Sequence, residues 1–264
     1  MPDNISRIDG TDQAWYFDKP AWHGKGTVTD RTKTAAQVAR QVPVFKKPVL
    51  LVPVAIKVGG RWVEQEGDRA TVRTGRTERM GYVTEDYELV QDTDGLLTME
   101  AVVNAAKRAS FVTAGALGAR AERSFASIDL SRVINLRIKR DPSRQESHLF
   151  GTWAHDGSGA LRIGLWHNRV ECQNMLNMAT ADAERAGMLV TIRHTGDVAA
   201  HLREAQQILG FAEITAKAHV ALMNTLVDTP VTPKWMRGFA EYVVTQPNDD
   251  ELGKRGRQAG KASP

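Results

Sequence analysis

Through the first two thirds of the chain, short apolar runs and alternating apolar and polar positions predict strands, and blocks with a period near 3.6 predict helices mainly toward the C-terminus. Two β-branched runs, residues 49–58 and 61–64, are split by Gly59-Gly60, a two-residue hairpin signal. Further strands are expected at 70–73 and 81–90, which makes this part a β-meander. Residues 95–109 place Leu96, Met99, Val103 and Ala106 three and four apart, predicting an amphipathic helix with Asp92 or Asp94 as N-cap. Residues 111–130 read as a second hairpin with a glycine-rich connection. Residues 131–140 alternate, with Val133, Leu136 and Ile138 expected inward and Arg137 and Lys139 between them. Strands at 148–154 and 160–167 are joined by HDGSG, where Gly157 supplies the positive φ of a tight turn. After them come a helical pattern at 170–186, a strand at 189–195, a long helix at 197–226 and a short helix beginning at Trp235.

The class is therefore α+β: antiparallel β-meander and hairpins in the N-terminal and central parts, helices toward the C-terminus. Residues 1–41 are expected as an N-terminal arm with a short helix after Thr34, 42–247 as one α+β core, and 248–264 as a basic disordered tail.

Composition adds exclusions. With 264 residues, 42% apolar and 25% charged, the chain can bury a substantial core. Its longest apolar run, residues 48–58, is interrupted by Pro53 and Lys57 and falls short of the ~20 residues of a membrane span. The first residues are polar and carry acids, unlike an export signal. One cysteine cannot form an intramolecular disulfide, so a reducing cytoplasm is expected.

Net charge is only +4, but residues 107–144 hold nine basic residues against three acidic ones, and the last twelve residues add four cations and no anion. Such segments attract polyanions in a salt-dependent way, or else form a solvated face. The candidates for phosphate contact are Arg120, Arg123, Arg132, Arg137, Lys139 and Arg140, because a guanidinium fork matches phosphate oxygens; Arg162 and Arg169 are presented nearby. Phe125, Trp153 and Trp166 are candidate stacking faces for bases.

Residues 155–174 gather two histidines, an aspartate and Cys172, which raises the question of catalysis. No signature of a cysteine nucleophile surrounds Cys172, no histidine pair has zinc-ligand spacing, and no Gly-rich phosphate motif is present. The stretch is expected to be a hairpin feeding a helix, with His155, Asp156 and Gly157 shaping the turn. No metal or cofactor is expected.

In order along the chain, AWHGKGT, GYVTEDYELVQDTDGLLTMEAVV, AGALGARAERSFASIDL, TWAHDGSGALRIGLWHNRVECQNMLNMA and IRHTGDVAAHLREAQQILG resemble the phage- and plasmid-like proteins catalogued as domain of unknown function 932. The likeness spans roughly residues 20–226. Asp92 stands where that family often has asparagine, and Met175 where it has threonine. Members of that family are encoded on phages and plasmids, often near replication and recombination functions, so the resemblance implies a mobile-element protein of the host cytoplasm that acts on DNA. Combined with the basic strip, it gives a nucleic-acid-binding protein, in one form a homo-oligomeric annealer of single-stranded DNA. Two other classes stay open: an enzyme or host-directed effector using Cys172 with a nearby histidine, and a structural or assembly protein with a basic partner-binding surface.

Overall fold

The structure, a computed structural model, describes residues 3–106, 108–133, 139–140, 146–192, 221, 224–225 and 227–244. Two compact units divide the chain, Met1–Val220 and Ala221–Pro264.

In the first unit, β1 (Arg7–Ile8) and β2 (Thr11–Asp12) form a small hairpin, followed by β3 (Ala14–Phe17), β4 (Thr27–Thr29) and α1 (Ala35–Gln41). Then come β5 (Val49–Val58), β6 (Arg61–Arg73), β7 (Arg79–Thr84) and α2 (Asp92–Ala105). The central strands are β8 (Ser110–Leu117), β9 (Arg123–Asp129), β10 (His148–Ala154) and β11 (Leu161–Trp166), and α3 (Gln173–Arg185) and β12 (Leu189–Ile192) follow. The fold is α+β. A seven-stranded sheet runs β12-β11-β10-β9-β8-β3-β4, antiparallel except for β3 beside β4, and β5-β6-β7 form a separate three-stranded sheet.

Helices cover both faces of the large sheet. Leu96, Met99, Val103 and Ala106, all buried, pack with Val38 of α1 against Trp15, Ile128, Leu149 and Trp153. On the other face Leu176, Ala179 and Ala183 of α3 meet Tyr16, Phe125 and Phe150. Because β8 and β10 are buried on both sides, they lack clean alternation and use small residues where a helix comes close. A Cβ on Gly151 would lie 2.4 Å from Met99 Sδ, and one on Gly95 would lie 2.6 Å from the Trp153 ring.

Several expectations shift. Residues 1–41 are integrated into the core rather than held apart from it: β3 pairs with β8, and Ala14, Trp15 and Tyr16 are buried. The strands expected at 61–64 and 70–73 are one thirteen-residue strand, because outside the core the polar positions of β6 need no buried face. Gln91 is the N-cap of α2, and Asp94 accepts its N–H at 3.1 Å. Residues 131–133 form a turn rather than a strand: Asp129 Oδ1 accepts the Ser131 N–H at 2.8 Å, and Val133 is exposed. The rest of that expected strand, most of the 197–226 helix and the basic tail lie outside the described residues.

In the second unit, α4 (Pro233–Val244) opens with proline at its first position, and Thr232 Oγ1 accepts the Trp235 N–H at 3.2 Å. Among the described residues no helix is long and apolar enough to cross a membrane.

Candidate functional site

The turn between β10 and β11 is anchored from inside the fold by the carboxylate of Asp92 at the start of α2. Asp92 Oδ1 accepts from Ser124 Oγ at 2.6 Å and Trp153 Nε1 at 2.9 Å, and lies 3.0 Å from His155 Nε2. Asp92 Oδ2 accepts from Arg73 Nη1 at 2.7 Å. Arg73 also donates to the carbonyls of Lys47 at 3.1 Å and Ala121 at 3.0 Å. All five side chains are buried. Burial alone would raise the pKa of Asp92, but the His155 and Arg73 partners and the hydrogen bonds outweigh it and hold the carboxyl well below the usual range. His155 therefore points inward to an ion pair, a correction to its expected role, while Asp156 and Gly157 form the turn itself, with Asp156 Oδ1 accepting the Ser158 N–H at 2.9 Å.

Around this turn the fold gathers cations. Strand β7 lies so close that a Cβ on Gly81 would sit 2.2 Å from the carbonyl oxygen of Asp156. On the same strand the Arg79 guanidinium lies 4.7 Å above the ring of Tyr82, which is 59% exposed. Arg120, in the β8–β9 loop, donates to the Arg79 carbonyl at 2.6 Å. Arg123 reaches Ser158 Oγ at 3.3 Å.

The strand registers put Arg123, Thr152 and Arg162 on the sheet face that α3 covers, since Arg123 pairs with Ala154 and Arg162 with Thr152. There Arg123 and Arg162 line a recess of about 190 Å³ together with Thr152, Ser158, Asn177 and Thr180. Arg162 Nε is buried without a hydrogen-bond partner. The nearby acids are Glu122, Asp156 and Glu184; Glu122 is engaged by the Arg120 backbone N–H at 3.0 Å, and Glu184 stands exposed at the recess rim.

Thus Arg120, Arg123 and Arg162 come together, with Arg79 and Tyr82 added by β7. The remaining candidates lie elsewhere. Arg169 is committed to the fold: it donates to the Phe17 carbonyl at 2.7 Å and to Glu171 Oε1 at 2.9 Å. It lines a second recess of about 300 Å³ with Arg31, Asp129, Glu146, Glu171 and His148. Arg31 there contacts Asp129 at 2.8 Å, and His148 Nε2 lies 2.9 Å from Glu146 Oε2; Asp18 and Lys19 also line the recess. Arg132, Lys139 and Arg140 are exposed, and Arg137 lies outside the described residues.

The expected stacking faces are corrected. Phe125 and Trp153 are fully buried, because their strands are covered on both faces, and Trp166 is half-buried with Nε1 donating to Asp182 at 3.3 Å. Among the described residues the exposed aromatics are Trp22, Trp62, Tyr82 and Trp235. Cys172 is buried as the N-cap of α3. Among the described residues no group of three His, Cys, Asp or Glu side chains could hold a metal ion.

A family model described as Domain of unknown function (DUF932) matches residues 79–263, a span that begins at Arg79 and contains the whole arginine cluster around the turn. Neither the curated proteins nor the solved structures contain a match.

Proposed function

The chain belongs to the family described as Domain of unknown function (DUF932), and from that footing we propose that it is a nucleic-acid-binding protein of a phage or plasmid. In this proposal it acts in the host cytoplasm as a homo-oligomer that holds single-stranded DNA for annealing. The phage or plasmid setting rests on the ordered motifs quoted above. The observation that carries the binding role is the convergence of Arg79, Arg120, Arg123 and Arg162 on the β10–β11 turn beside an exposed tyrosine.

Guanidiniums meet phosphates through charge-assisted, often bidentate hydrogen bonds, and an exposed ring offers a face to an unpaired base worth about 1–3 kcal/mol. In this cluster Tyr82 provides the ring and the arginines the phosphate contacts. The second recess is a poorer candidate, since its two arginines, Arg31 and Arg169, already have carboxylate partners.

The experiment is fluorescence anisotropy with a labelled single-stranded oligonucleotide and its duplex at two salt concentrations, with light scattering on the same sample. Tighter binding of the single strand by a multimer is expected, with Arg120→Gln/Arg123→Gln weakening it and lowering the salt slope by about 0.7 per lost phosphate contact. Absence of binding at low salt would overturn the proposal.

A further inference from the structure

We propose that the recess between α3 and strands β9–β11 is a phosphomonoester pocket, which takes one terminal phosphate group between Arg123 and Arg162. The proposal rests on the nucleic-acid role only for one source of the phosphate, the 5′ end of a strand; a free mononucleotide is the other source of the same chemistry.

The two arginines stand on strands either side of β10, opposite Ala154 and Thr152 on one sheet face, and both line the same recess. The hydrogen-bond inventory leaves donors over. Arg162 Nε is buried and unpartnered, a state that is unfavourable unless an acceptor arrives. Ser158 Oγ accepts from Arg123 at 3.3 Å, which leaves its hydroxyl proton to give. Asn177 accepts from Gln173 Nε2 through Oδ1 at 2.7 Å, which leaves its amide N–H groups to give. Thr152 and Thr180 have spent their hydroxyl protons on the carbonyls of Ser124 and Leu176, both within 2.9 Å.

Four donor groups, two of them cationic, therefore face a space whose one acid, Glu184, is exposed. A phosphomonoester fits that set better than an internal phosphodiester, because it offers three free oxygens and a charge of about −1.5 to −2 in place of two oxygens and −1. Size agrees. At about 190 Å³ the recess is below the ~300 Å³ where sites for drug-sized ligands begin, so it admits a phosphate and part of a sugar rather than a run of backbone.

The test uses the full chain. Calorimetry compares thymidine 5′-monophosphate with thymidine, and anisotropy compares 5′-phosphorylated with 5′-hydroxyl oligonucleotides of one sequence. The monophosphate is expected to bind at least tenfold tighter than the nucleoside, with the difference lost in Arg162→Gln and partly kept in Arg162→Lys. Arg123→Gln is the second variant, and equal melting temperatures show that each variant remains folded. A preference for the phosphorylated strand identifies a strand end as the source. A monophosphate preference with neither oligonucleotide bound supports the pocket with free nucleotide as its ligand and refutes the nucleic-acid role alone. Equal binding of thymidine and its monophosphate, together with equal binding of the two oligonucleotides, overturns the pocket while leaving salt-sensitive strand binding standing.

Discussion

Asp92 joins three parts of the chain through one carboxylate: Arg73 of the small sheet, Ser124 of β9, and Trp153 and His155 at the end of β10. Replacing it with asparagine keeps the shape but leaves the Arg73 guanidinium, 1% exposed, without its counter-charge. Removing one member of a buried pair costs about 3–5 kcal/mol, so Asp92→Asn is expected to lower the unfolding free energy in urea by about that amount, with an unchanged slope. The pH dependence has a definite sign. Because the folded carboxyl titrates below its unfolded value, its contribution is complete above about pH 4 and is lost as the solution is acidified through the folded pKa. Urea midpoints measured between pH 3 and 7 are expected to fall steeply at the acid end in the native protein and less steeply in Asp92→Asn; parallel curves would show that Asp92 is not the group responsible. From sequence, Asp92 reads as a helix cap, since an acid in the first turn is favoured by the helix dipole whether or not it is buried. What marks it as a buried anchor is the arrival of β6 and β10 from 19 and 61 positions away, which local spacing does not encode.

Hairpins and helices were legible wherever one local signal sufficed. Gly59 and Gly60 both have positive φ, as the two-residue turn between β5 and β6 requires, and the face of α2 was readable from its spacing because one side of it is buried. The length of β6 was not legible, because beyond Pro53 the β5–β6 hairpin leaves β7 and most of its side chains are exposed, so burial imposes no alternation. Joining Val54 to its cross-strand partner Gln65 through an Asn-Gly turn is therefore expected to move the melting temperature by less than about 2 °C, within the ~2–4 °C that 1 kcal/mol produces at this size. A larger fall would show that the distal hairpin supports the core. Gly81 behaves oppositely. Its missing Cβ is what lets β7 lie against Asp156, so Gly81→Ala must push β7 or the turn aside. It is expected both to lower stability by about 1–3 kcal/mol, as overpacking does, and to weaken oligonucleotide binding by separating Arg79 and Tyr82 from Arg123 and Arg162. Retained affinity in a destabilised Gly81→Ala would detach β7 from the binding surface.

Across the whole molecule, charge was the clearest signal in the sequence and its placement the least clear. Arg120, Arg123 and Arg162 stand out in the sequence in a basic strip and a hairpin, yet their meeting depends on the order β11-β10-β9 and on which face each strand presents, neither of which composition carries. Arg79 and Tyr82 were missed because β7 belongs to a different sheet. The tail poses a separate electrostatic question. Residues 253–264 carry four cations and no acid, so their removal takes the formal net charge from +4 to zero. If these cations only meet phosphates, each releases condensed counterions on binding, and the slope of log affinity against log salt is expected to flatten by up to about 0.7 per charge on single strands. A chain ending at residue 252 should then bind an oligonucleotide more weakly than the full chain at low salt and converge with it as salt rises. Substitution of Arg162 should instead lower affinity for a phosphorylated end across the salt range, since a partly enclosed pair is screened less than an exposed one. An equal loss at every salt concentration on removing the tail would mean that it makes specific contacts, and the division of labour between the basic tail and the arginine cluster would have to be abandoned.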